Sequence, residues 1–217
     1  MNAISHRSFQ RRGLLFILSS PSGAGKSTLT KNLLASDPLL KPSVSTTTRQ
    51  RRNSEIEGVH YLFTSREEFE EKRERGQFLE WAEVHGNYYA TPRKPVEEAL
   101  SCGFDVVFDI DWQGTRQIIE KLQDDVVSVF VLPPSMKELK GRLERRAEDA
   151  PETILKRLKN AKTEMEQWRL YDYILINDDL DQVFSELKCI LATERLRRKR
   201  QMNIEETVNA LMIEDSL

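Results

Sequence analysis

Ser20-Pro21-Ser22-Gly23-Ala24-Gly25-Lys26-Ser27 follows the apolar run Leu14–Ser19 and opens the helical pattern Lys26–Ala35. Strand, glycine-rich turn and helix therefore come in the order of a phosphate loop, whose pattern is G-x-x-x-x-G-K-[ST]. The chain departs from that pattern at the first position, where Ser20 stands for Gly. Gly23 and Gly25 let backbone N–H groups turn toward one point, and Lys26 adds a cation there. Ser27 offers a hydroxyl suited to Mg²⁺, and the helix N-terminus adds partial positive charge. The segment reads as a nucleoside triphosphate site and leaves the reaction open. The plainer reading is an ordinary strand–turn–helix corner.

Working outward, three further runs resemble the first: Asp105–Ile110, Val127–Leu132 and Tyr173–Ile176. Each is short and continuously apolar, as expected of strands buried on both faces. Helical patterns separate them, at Trp112–Leu122, from near Ser135, from near Pro151, and along Leu180, Val183, Phe184, Leu187 and Leu191. Strand–helix alternation predicts an α/β fold with a parallel sheet in three layers. Ser43–Thr91 and Lys137–Lys162 break the rhythm and read as insertions. The first has strand signals near Val44–Thr46 and His60–Phe63, and a capping box at Ser65-x-x-Glu68.

Composition excludes several classes. The 217 residues carry 33 Lys+Arg and 35 Asp+Glu, a net charge of −2, which argues against bulk nucleic-acid binding. Apolar runs fall far short of the ~18 residues that span a bilayer, and Leu14–Leu18 is shorter than a signal-peptide core of ~7–15. Cys102 and Cys189 show no framework spacing, so a reducing cytoplasm is expected. Three histidines without ligand spacing argue against zinc. The run Arg195-Leu196-Arg197-Arg198-Lys199-Arg200 reads as the exposed end of a helix.

A second anion site is suggested by Ser45-Thr46-Thr47-Thr48-Arg49-Gln50-Arg51-Arg52 with Glu55, Gly58 and Tyr61. Arginine's planar fork suits phosphate, though a solvated basic loop has the same composition. Glu80 then lies in the apolar and aromatic setting Phe78–Glu83, followed by Gly86-Asn87-Tyr88-Tyr89-Ala90-Thr91-Pro92. A carboxylate can accept the paired N1–H and N2–H₂ of guanine. Adenine has no such pair and would leave it unsatisfied. At least one of Tyr88 and Tyr89 is expected to serve packing alone.

These residues together resemble the guanylate kinases of bacterial type. The matching motifs are Ser45-x-Thr47-Thr48-Arg49-x-x-Arg52-x-x-Glu55-x-x-Gly58-x-x-Tyr61, Glu80-Trp81-Ala82, Gly86-x-Tyr88-Tyr89 and Asp109-Ile110-Asp111-x-Gln113-Gly114. The resemblance implies transfer of the γ-phosphoryl of ATP to GMP or dGMP, with Mg²⁺ and ATP as co-substrate. It implies a P-loop core over 12–43, 95–135 and 168–217, a GMP-binding region over 44–94 and a helical lid over 136–167. Residues 1–11 would be a disordered extension. Ser22, Gly23, Ala24, Gly25, Lys26, Ser27, Thr28, Arg142 and Asn177 would bind ATP. Ser45, Arg49, Arg52, Tyr61, Glu80, Tyr89, Thr91 and Asp111 would bind GMP, and Ser27 and Asp109 would serve the metal. Lys26, Arg49, Arg146 and Arg157 would act in catalysis, with Arg146 and Arg157 closing from the lid.

Two departures accompany the match. Thr91 stands where Ser is frequent, keeping the hydroxyl, and Ala147 stands where Gly is usual. No N-K-x-D element supports a GTPase, and Lys26 and Ser27 argue against an inactive interaction module. Only residues 45–91 separate the reading from a kinase of another phosphorylated acceptor. No membrane or nucleic-acid partner is expected, and the C-terminal helix could be a self-assembly surface.

Overall fold

The structure, a computed structural model, describes residues 10–84, 86–145 and 151–214. At its centre lies β1 (Leu15–Ser19). Leu14, Phe16 and Leu18 enter one apolar cluster, while Leu15 and Ile17 enter another on the opposite face. Successive side chains alternate between faces, so a strand covered on both sides has to be apolar throughout. β1 leads through the glycine-rich turn into α1 (Lys26–Ser36) and then β2 (Leu40–Pro42). β2 gives no clear sequence signal: it is three residues long and contains Lys41 and Pro42. It forms one edge of the sheet, where proline is tolerated.

The chain then builds a second sheet. Its elements are β3 (Thr46–Thr47), β4 (Leu62–Phe63), α2 (Arg66–Glu74), β5 (Phe78–Val84) and β6 (Asn87–Pro92). The order β4-β3-β6-β5 has one parallel pair, β3 with β4, and antiparallel pairs elsewhere. The Ser65 side chain accepts the Glu68 N–H at 3.1 Å, as the capping box predicts. Phe69 of α2 packs on Phe78 and Ala90, giving this sheet its own small core.

α3 (Arg93–Ser101) returns the chain to the first sheet, followed by β7 (Asp105–Asp109), α4 (Trp112–Leu122) and β8 (Val126–Leu132). α5 (Met136–Arg145) and α6 (Pro151–Met165) come next. A short 3₁₀ turn leads to β9 (Tyr173–Ile176), α7 (Leu180–Arg195) and α8 (Ile204–Glu214). The five-stranded order is β2-β7-β1-β8-β9, parallel throughout. Leu29, Leu33, Val183, Leu187 and Leu191 from α1 and α7 cover one face. Val96, Leu100 and Ile118 from α3 and α4 cover the other. From β1 the chain moves to one side, to β2, and from β7 it moves to the other, to β8 and β9. The carboxyl ends of β1 and β7 therefore flank a topological switch point, where open α/β sheets bind ligands. Among the described residues no helix is long and apolar enough to cross a membrane.

Two expectations are corrected. β9 is not buried on both faces: Tyr173 and Leu175 pack on the core, while Ile174 and Ile176 are 37% and 56% exposed. It is an edge strand, and its apolar run misleads because both faces are not covered. The basic run is a solvated helix end only in part: residues 196–199 are exposed, whereas Arg195 and Arg200 at its two ends are not. α7 stops at Arg195, which pairs with Asp37 and Asp105 at 2.6 Å each. Arg200 is 2% exposed and donates to the carbonyls of Glu194 at 3.0 Å and Gly13 at 3.4 Å. Arg200 answers Glu194 and Gly13, whereas Arg195 is one of the cationic partners required by Asp105, a fully buried carboxylate at the start of β7. Arg11 supplies another, at 2.6 and 2.9 Å, so packing against the core begins before residue 12. Gln10 joins as well, its carbonyl accepting the Met202 N–H at 2.9 Å.

Candidate active site

The glycine-rich turn and the ends of β1 and β7 enclose a cavity of about 310 Å³. Ser20, Ser22, Gly23, Gly25, Lys26, Ser27, Asp109 and Asp111 line it. Gly23 and Gly25 have φ of 95° and 104°, the left-handed region that glycine enters freely. Gly25 is required twice, because a Cβ there would also collide with the Asn177 side chain. Lys26 forms an ion pair with Asp109 across the cavity mouth. The Ser19 hydroxyl donates to the Ile110 carbonyl at 2.8 Å and locks the two strand ends together.

The Ala24 carbonyl organises three segments. Asn177 Nδ2 donates to it at 2.6 Å, and an Arg142 guanidinium nitrogen at 3.5 Å. Arg142 also donates to the Asn177 carbonyl at 2.9 Å. The structure thus brings Arg142 and Asn177 to the turn together. Leu139 and Leu143 of α5 stand beside Gly23, and behind them lie Ala161, Ile154 and Leu158 of α6. The α5–α6 pair is therefore seated directly on the loop. Arg157 lies on α6 and is half-buried, with an interaction of its own. Arg146 and Ala147 lie outside the described residues.

Facing this cavity, the second sheet presents its own polar group. Glu80 of β5 is buried and accepts the Thr91 hydroxyl at 2.7 Å. Burial raises its pKa and the nearby Asp111 charge adds to the shift, while Thr91 and Lys121 oppose it. Asp111 is the N-cap of α4, accepting the Gln113 and Gly114 N–H groups at 3.0 Å. β7 ends at Asp109, and Asp111 already belongs to the helix cap. Glu80 lies close to Gly114, so its carboxylate meets that of Asp111 at the start of α4.

Arg49, Tyr61 and Tyr89 form a third cluster. Arg49 lies 5.5 Å from the Tyr61 ring centre, and Tyr61 meets Tyr89 edge-on at 6.0 Å. Glu55 accepts from Arg49 at 2.6 Å and from the Arg52 N–H at 2.8 Å. The Arg49 pairing lowers the pKa of Glu55. Tyr88 points elsewhere, stacking on Phe69 at 5.2 Å under Arg66, so of the two tyrosines it is the one used in packing. Ser45 is half-buried at the edge of β3, and its carbonyl accepts the Leu62 N–H at 2.9 Å.

Sequence reasoning missed two sets of residues. Among the described residues the outer edge of β5 has no strand partner, and α4 side chains satisfy it instead. Gln117 accepts the Trp81 N–H at 3.1 Å and donates to the Trp81 carbonyl at 3.0 Å. Lys121 donates to the carbonyls of Phe78 at 3.2 Å and Leu79 at 2.7 Å. This clamp fixes Glu80, and only the helical spacing i, i+4 hints at it. The other is Glu164, near the end of α6. It lines the cavity and accepts the Ser22 N–H at 3.3 Å, with no local sequence signal.

With this geometry in hand, comparison with known proteins is direct. The family profile described as Guanylate kinase matches residues 12–194. The guanylate kinase of Rhizobium meliloti (strain 1021) is 59% identical over 207 residues, 95% of this chain and 94% of that protein. That of Bartonella quintana (strain Toulouse) is 60% identical over 205 residues, 94% of this chain and 92% of the other. The crystal structure of guanylate kinase from Anaplasma phagocytophilum superposes with a TM-score of 0.72 at 36% identity, covering 92% and 95% of the two chains.

Proposed function

This chain belongs to the guanylate kinase family, and we propose a division of labour among its residues for the transfer of the γ-phosphoryl group of ATP to GMP. The observation that carries it is the meeting of Glu80 and Asp111 beside the cavity of Lys26 and the glycine-rich turn. That juxtaposition supports a base-reading group on one side of a triphosphate site. The turn from Ser22 to Thr28 would cradle the ATP phosphates, with Arg142 and Asn177 beside it. Glu80, Asp111, Thr91 and Ser45 would hold guanine, and Arg49, Arg52, Tyr61 and Tyr89 the GMP phosphate.

In the transfer, an oxygen of the GMP phosphate attacks the γ-phosphorus while the bond to the β-bridging oxygen breaks, releasing ADP and GDP. The nucleophile is already anionic, so no strong general base is needed. Positioning and charge stabilisation by Lys26, Arg49, Arg157 and Arg146 carry the acceleration. dGMP fits the same reading, because the groups named would contact base and phosphate rather than the 2′-hydroxyl.

The donors at the cavity mouth fit Mg²⁺. Ser27 and Asp109 present hard oxygens, and among the described residues no cluster of three or more His, Cys, Asp or Glu could hold a metal. Mg²⁺ commonly takes only one or two protein oxygens beside nucleotide phosphates, where it neutralises developing charge. Cys102 and Cys189 are both free, which supports a reducing, cytoplasmic setting. Exposed Val208, Leu211, Met212 and Ile213 on α8 support self-assembly there.

The test is to incubate the protein with MgATP and each nucleoside monophosphate in turn and to measure diphosphate products. ADP with GDP is expected for GMP, and the deoxy pair for dGMP. Comparable turnover of AMP, or none of GMP, would defeat the reading.

A further inference from the structure

A P-loop is built to hold oxyanions through its backbone N–H groups. Here one of those groups, the Ser22 N–H, already has an anionic acceptor, Oε2 of Glu164 at 3.3 Å. Glu164 lines the same cavity as Lys26, Ser27 and Asp109. Burial raises its pKa and the Asp111 charge adds to the shift, while the Ser22 N–H and Lys26 hold the carboxylate form against them. A phosphate oxygen arriving at this N–H meets a negative group of the protein in its place, and two anions cannot share the donor.

The helix that brings Glu164 also brings Arg157. Seven residues separate them on α6. At 100° per residue that falls about 20° short of two full turns, so both project from nearly the same side, roughly 10 Å apart along the axis. A displacement of α6 that withdraws the carboxylate therefore moves an arginine on that same side.

We propose that Glu164 is an internal competitor for the nucleotide: it occupies the phosphate loop of the free protein, sets nucleotide affinity, and is exchanged for phosphate when α6 moves. This rests on the triphosphate assignment made above. Glu164 is thus an affinity-determining residue, and the same helix supplies an anion before binding and a cation afterwards. Apparent affinity is lowered by the fraction of molecules whose loop is occupied. A charge-assisted hydrogen bond of ordinary strength leaves about one molecule in ten open, so its removal tightens binding about tenfold.

The experiment is calorimetric titration of the full chain with MgADP and, separately, with inorganic pyrophosphate. Wild type is compared with Glu164→Gln and with Glu164→Asp, which keeps the charge but withdraws it by one methylene. Both variants are expected to bind both ligands several-fold to tenfold more tightly, with KM for ATP falling and KM for GMP unmoved. Pyrophosphate carries no base or ribose, so parallel tightening places the effect at the loop. A folded variant with equal or weaker affinity overturns the proposal, because it would make Glu164 a helper of binding or a bystander. If Glu164→Gln fails to fold, Glu164→Asp decides. Wild type that binds neither ligand would defeat the triphosphate assignment itself, and this inference with it.

Discussion

Replacing Glu80 by glutamine should make the unliganded protein more stable and the enzyme worse. The side chain is 6% exposed, and its one short hydrogen bond, to the Thr91 hydroxyl at 2.7 Å, can be accepted equally by a glutamine oxygen. What the substitution removes is a buried charge facing Asp111. Burial holds the folded pKa of Glu80 above its ordinary value, so the folded state is the better proton binder in the window between the two. Below the unfolded value of ~4.3 both states are protonated and no penalty exists. As pH rises through the folded value, wild type loses stability relative to the variant, and each unit of separation is worth about 1.4 kcal/mol. The gap should therefore open as pH rises above about 4 and become level once Glu80 is ionised in the folded state as well. A gain of order 1 kcal/mol moves Tm by about 2–4 °C for a chain of this size. Guanine, in contrast, loses a charge-assisted pair worth about 1.5–3 kcal/mol, so kcat/KM for GMP should fall about 10- to 150-fold. Denaturant unfolding of both proteins from pH 4 to pH 8, with GMP kinetics, tests this. A pH-independent gap, or a wild type more stable than the variant at pH 8, would refute the reasoning.

Gln117→Leu removes the pairing with both polar groups of Trp81 while keeping side-chain bulk, and should raise KM for GMP several-fold with little change in KM for ATP. Equal effects on the two substrates would show that the clamp does not position Glu80. Asp105→Asn strips the charge shared by Arg11 and Arg195, and should cost about 3–5 kcal/mol in denaturant unfolding. A loss below 1 kcal/mol would mean that the arginines find other acceptors.

The central strand and the glycine-rich turn were legible because their causes are local. Burial on both faces demands an unbroken apolar run, and the turn demands Gly23 and Gly25 at fixed spacing. Trp112–Leu122 was legible in the same way, from its periodicity. Glu80, Arg49, Tyr61 and Tyr89 were visible as a pattern but not as a place. The placing of Glu80 and Tyr89 depends on the β5–β6 hairpin, whose polar and aromatic residues hide the alternation. Arg195 and Arg200 were misjudged because a charge run normally means solvent. Nothing nearby announces that Asp105, about ninety residues before Arg195, is buried and awaiting it, or that Arg200 folds back on Glu194 and Gly13. Glu164 was silent for the same reason, since its partner is the backbone of Ser22, which every residue type possesses.

The fastening of Asp105 has a consequence for how the chain is made. Within this chain β1 is made before its strand partners β7 and β8, which follow some ninety and more residues later. Arg195 and Arg200 come later still. Until they emerge, the base of the sheet holds a carboxylate short of one partner and a Gly13 carbonyl without its arginine. Domains generally fold as units, and non-local pairing is slow to form. The nascent protein should therefore expose its apolar strands until synthesis has passed residue 200, which makes them targets for chaperones up to that point.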